Sequence, residues 1–127
     1  MINYQLKTWK NKDIDYLNWI DKQPSLMAST PADQTSVTHH HVFHSGGKHG
    51  NDYLSLPFTW YQHTGFHSGT PEDEVFEIVG IDPVKEIVNH LSRYIKEVLK
   101  YPVQPVQFTE DYIIILIKTI KAIRNGK

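Results

Sequence analysis

The sequence predicts an α+β domain, on three observations. Leu54, Leu56 and Phe58 alternate with Ser55 and Pro57, the period-two pattern of a strand. Upstream, His39 to His44 reads as a second extended segment running into a Ser45-Gly46-Gly47 turn. Residues 83–100 instead carry Val84, Ile87, Val88, Leu91, Ile95 and Val98 at helical spacing behind Pro83, which suits a first helical turn.

Taken in order, residues 13–22 place Tyr16, Leu17, Trp19 and Ile20 in a short helix, with Asp13 or Asn11 as N-cap and Pro24 ending it. Residues 24–38 are small and polar, and read as loop. After the strand, Thr59 is a plausible N-cap for a short helix over TWYQHTGFH, weakened by Gly65. Thr109, backed by Glu110 and Asp111, caps a last helix that runs to about Asn125-Gly126. Its buried stripe is Ile113, Leu116, Ile117 and Ile120. Ile114 and Ile115 are surplus to one face, so packing on two sides or a homodimer through this helix is expected, with a strand over YIIILI as the competing reading.

A chain of 127 residues suits one domain with one modest core. The longest apolar run, Tyr112–Ile117, has six residues, too few to cross a membrane. The segment MINYQLKTWKNKD lacks the apolar stretch of a signal peptide, so a cytoplasmic location is the expectation. Cysteine is absent, which removes disulfides, thiolate nucleophiles and cysteine-held zinc together. A net charge of −1 excludes a bulk polyanion binder. Contacts with nucleic acid would have to come from local patches such as Lys7, Lys10, Lys12 and Lys22, or Lys118, Lys121, Arg124 and Lys127; an acidic run lies at Glu72, Asp73, Glu74 and Glu77.

Of eight histidines, all but His90 lie between His39 and His67, among glycines and an Asn51-Asp52 step. His90 sits on the long helix off its main stripe and reads as an ordinary surface or rim residue. His63 and His67, four apart, would share one helix face, the spacing with which helices supply two ligands to one ion. A third imidazole from the upstream run would make three protein ligands with an open position, the mark of a catalytic site. Hydrolysis of a phosphodiester needs a deprotonated water and charge stabilisation at the phosphate. One of two adjacent histidines can hold the ion while its neighbour, free of metal, takes the proton. That base needs its second ring nitrogen fixed by an acceptor, and Asn51 and Asp52 are placed to provide one if the segment is a hairpin.

The order T-H-H-x-x-x-H-S-G-G, N-D-Y-L-S-L-P-F and Q-H-x-x-x-H resembles an HNH endonuclease motif, closest to the phage-type family typified by the RecA-dependent nuclease. The lead-in Y16-L-N-W-I-D-K-Q-P24 is also similar, so the likeness spans residues 16–67. It implies a ββα-metal (His-Me finger) core at about 36–68, an N-terminal helix, and a helical C-terminal extension over 83–125. By position, His39, His63 and His67 would be metal ligands and His40 the general base. Asn51 or Asp52 would fill the middle position, and His44 would support the site or contact phosphate. Sliding the triple histidine by one makes His40 the ligand and His41 the base; the His39/His40 register is preferred because it alone keeps His44 at the family spacing. The family's cysteine positions fall here on Ser25 to Ala28 and on Phe58-Thr59, so packing of Leu26, Met27 and Phe58 would replace a structural zinc. Gln62 stands where relatives often have another histidine.

The function so implied is a metal-dependent DNA endonuclease of phage or prophage recombination or DNA processing. It would use one divalent ion (Mg, Mn, Ni or Zn), with DNA and a recombinase such as RecA as partners. A catalytically inactive DNA-binding or regulatory protein on the same scaffold is the alternative. No HExxH and no GxxxxGK[ST] occurs, against a zinc peptidase and an NTPase.

Overall fold

The structure, a computed structural model, describes residues 11–27, 37–42, 51–59, 62, 69, 71–104 and 107–126. It is a mixed α+β arrangement: helices packed around a two-stranded antiparallel sheet. Helix α1 spans Ile14–Asp21, with Asp13 as its N-cap accepting from the Tyr16 amide. Tyr16, Leu17 and Ile20 form its buried face, and the Gln23 side chain donates to the Trp19 carbonyl as the helix ends.

Strand β1 is Val37–His41 and strand β2 is Ser55–Thr59. Val37 pairs with Thr59, His39 with Pro57, and His41 with Ser55. Between the strands, Asn51 caps a 3-10 turn over Asp52–Leu54. Leu54, expected to open the strand, belongs to this turn, and its carbonyl still accepts from the Val42 amide at 2.9 Å. Pro57 has no N–H to give to a ladder, which a two-stranded sheet tolerates because both of its strands are edges. Every residue of β2 is buried, so Ser55 and Thr59 are covered as well as Leu56 and Phe58. Both α1 and the long helix below pack on it.

After β2, Thr59 and Gln62 close a reciprocal pair of hydrogen bonds. The Gln62 amide donates to Thr59 Oγ1 at 3.2 Å, and Gln62 Oε1 accepts from the Thr59 amide at 2.9 Å. This is a capping box, and Gln62 itself is helical. The expected HxxxH pair of His63 and His67 lies outside the described residues.

Helix α2 spans Glu72–Val79, where the sequence shows only an acidic run. Its three first-turn acids suit the positive end of a helix. Gly80 closes it at φ 74°, with Gly80 N donating to Glu77 and Ile81 N to Phe76, a Schellman ending that needs the left-handed conformation glycine adopts freely. Only Phe76 is buried, too thin a stripe to reveal the helix by periodicity.

Helix α3 is Pro83–Glu97, capped by Asp82, and helix α4 is Glu110–Asn125, capped by Thr109. Helix α4 fills its expected range, α3 stops at Glu97 rather than at 100, and the strand reading of YIIILI falls away. Val98, placed on the stripe, is the exposed C-cap. His90 is a correction: it is 5% exposed rather than at the surface, its Nδ1 held by the Glu86 carbonyl at 2.7 Å and its ring against Trp19. Of the two surplus isoleucines, Ile114 is buried within the molecule and Ile115 is exposed. The core joins Tyr16, Ile20, Leu56, Phe58, Leu91 and Ile117, with Leu26 and Met27 packed at its edge. Among the described residues no helix is long and apolar enough to cross a membrane.

Candidate functional site

Alternation along β1 decides where each imidazole goes. Successive side chains of a strand point to opposite faces, so His39 and His41 share one face and His40 takes the other. His40 is 2% exposed, its ring edge-on to Phe58, its Nε2 3.8 Å from Glu72 Oε2. His39 and His41 stand together on the outer face, their rings perpendicular and 5.3 Å apart.

Each outer histidine is held by a carboxylate. His39 Nδ1 lies 2.8 Å from Asp21 Oδ1, at the last residue of α1. His41 Nε2 lies 2.9 Å from Asp52 Oδ1, at the start of the 3-10 turn. A carboxylate only accepts, so the contacted ring nitrogen carries the proton in both pairs. In the neutral rings this leaves a lone pair on His39 Nε2 and another on His41 Nδ1.

The two pairs differ in depth. Asp21 and His39 are both about one-third exposed, whereas Asp52 is buried. Burial pushes the His41 pKa below the ordinary histidine value, opposed by the hydrogen bond and charge of Asp52.

Asp52 is itself fixed from behind. Its Oδ2 accepts from the Asp13 amide at 2.7 Å, and its own amide donates to the Asn11 carbonyl at 3.0 Å. The Asp13 carboxylate, besides capping α1, accepts from the Tyr53 hydroxyl at 2.6 Å and pairs with Arg124 of α4, whose Nε is 2.9 Å away. Arg124 also donates to the Tyr94 hydroxyl. A continuous polar chain thus runs from α4 through Asp13 and Asp52 to His41.

Of the two candidates for the middle position, Asp52 meets a histidine. Asn51 turns its side-chain oxygen to the Tyr53 amide at 3.0 Å. His44, His63 and His67 lie outside the described residues. Asp21 and Asp13 were not expected at the site. Asp21 left one signal in the sequence: a carboxylate closing a helix, where the dipole disfavours it.

No three His, Asp or Glu side chains form a ready-made metal group among the described residues. The arrangement still suits a metal ligand, because ligating histidines characteristically give their other N–H to a carboxylate, as His39 does to Asp21. Exposed Lys12 and Lys22 flank α1, and the Lys12 charge is felt by His41. A cleft of about 570 Å³ elsewhere, between Pro24–Leu26 and α3, contains none of these histidines. It has both signs of charge, and its Arg93 is already engaged by Gln23 and Glu97. Comparison with protein-family models, curated proteins and solved structures finds no match to this chain.

Proposed function

We propose that the outer face of the hairpin is the centre of a metal-dependent DNA endonuclease, built on a ββα-metal core of the HNH type. The observation that carries this reading is the pair of neighbouring, part-exposed imidazoles, each with one ring nitrogen pinned by an acid. One pinned, unprotonated imidazole beside another is what water activation next to an ion-bound phosphate requires. The capping box after β2 supports the hairpin-then-helix order of such a core.

In this reading His41 is the general base. Neither register is kept whole: His40, the base in one and the ligand in the other, faces the core, so the base is placed on His41, held by Asp52, and the ligand stays on His39. His41 Nδ1 takes a proton from water as its oxygen attacks phosphorus. Asp52 keeps the proton on Nε2, so Nδ1 is the accepting nitrogen, and its charge stabilises the imidazolium that forms. The bond from phosphorus to the 3′ oxygen then breaks, leaving a 5′ phosphate. A divalent ion held by His39, with His63 and His67 as its further ligands, would polarise the phosphate and stabilise the leaving oxygen. Lys12 and Lys22 supply cations for the flanking phosphates. An open face of this kind suits a polymer, which a closed pocket would exclude.

Nicking of supercoiled plasmid tests the assignment, using chelator-stripped protein titrated with magnesium, manganese, nickel or zinc. His41→Ala is expected to lower cleavage by about 10²–10⁴-fold, with metal binding retained. His40→Ala is expected instead to lower stability by about 2 kcal/mol through the cavity it leaves in the core. Metal binding by wild type without cutting of supercoiled, linear or single-stranded DNA would replace this reading with a non-catalytic DNA-binding or regulatory role.

A further inference from the structure

We infer that Asp21 is a positioning residue that presents Nε2 of His39 outward as a ligand atom. The inference rests on the endonuclease reading only for the identity of what His39 holds.

Three observations converge on Asp21. Its Oδ1 lies 2.8 Å from His39 Nδ1, and because a carboxylate cannot donate, that nitrogen carries a proton; in the neutral ring Nε2 is then the one with the lone pair. Most free neutral histidines prefer the opposite arrangement, so an acceptor here does chemical selection as well as holding. The second observation is location. Asp21 ends α1, where the helix dipole works against a carboxylate, and the only cation beside it is the C-cap Lys22. Nothing in the helix asks for an acid at this place. Third, the His39 ring stands perpendicular to that of His41, with 5.3 Å between centroids, so it is braced against rotation on its other side. Both partners of the Asp21–His39 pair are about one-third exposed, and exposed ion pairs add little to stability. The contact therefore matters for orientation more than for folding.

Asp21→Ala and Asp21→Asn test this against wild type, in the full chain. Three properties are read: the His39 tautomer by nitrogen-15 NMR, zinc and manganese affinity by calorimetry, and thermal melting. In wild type the proton is expected on Nδ1. Asp21→Ala should move His39 toward the Nε2-protonated form and weaken metal binding by about 10–100-fold, as loss of such an acceptor does in metal sites. Melting should hardly change. Asp21→Asn keeps an oxygen acceptor and should restore most of the affinity. The inference is overturned if wild-type His39 carries its proton on Nε2, if wild type binds neither metal, or if Asp21→Ala leaves tautomer and affinity unchanged. Plasmid cleavage by wild type is scored separately. Metal binding that depends on Asp21 in a protein that never cuts DNA upholds the inference and removes the endonuclease reading.

Discussion

One step along β1 separates an imidazole held by a carboxylate at the surface from one buried against an aromatic ring. Both faces of the hairpin receive histidine, and neighbours decide what each ring does: Asp52 for His41, Phe58 for His40. His90 shows the packing case in full. Burial lowers its pKa, opposed by the bond to the Glu86 carbonyl. The sign follows from proton counting. Between its depressed folded pKa and the unfolded value of 6.5, the unfolded chain binds more protons than the folded one. Stability from this group is thus complete above that window and falls as pH drops through it. Urea midpoints should decline below about pH 6.5, and His90→Gln should flatten the decline. An unchanged slope in that variant would mean His90 titrates alike in both states.

At the scale of elements, the capping box between β2 and the following segment carries more than a helix start. Gln62 Oε1 accepts from Ser25 Oγ as well as from the Thr59 amide, so it also ties down the chain after α1. Gln62→Ala should cost about 1–2 kcal/mol in urea unfolding, from a lost cap and a lost hydrogen bond. Retention of full stability would show that water replaces both. Leu26 and Met27 pack against the core beside Ser25, and Phe58 is part of that core. Caps and stripes were legible because each is written in a few adjacent residues: Asp13, Thr109, and the apolar spacing of α3 and α4. Helix α2 was not, since a single buried Phe76 carries no period. The Asp21–His39 and Asp52–His41 contacts were only half legible. Histidine spacing marks a site, but an acid 18 residues upstream of its partner leaves no local pattern.

The whole molecule is closed by Arg124, whose ion pair with Asp13 joins positions 111 residues apart. The Asp13 side chain is 5% exposed, so removing its cation leaves a buried negative charge poorly compensated. Arg124→Met should destabilise by about 2 kcal/mol, below the cost for a fully buried pair because Arg124 is partly exposed. Cleavage should fall further than the unfolded fraction explains, since the Asp13 amide that holds Asp52 moves with its own carboxylate. Cleavage that merely tracks the folded fraction would confine Arg124 to stability.

That same clamp sets an order of events during synthesis. The ribosome delivers Asp13 111 codons ahead of Arg124, and the histidines of β1 follow Asp13 well before that cation. At usual elongation rates the wait is on the order of ten seconds. A nascent chain therefore holds Asp52 and His41 for much of that interval without the Asp13–Arg124 brace behind them.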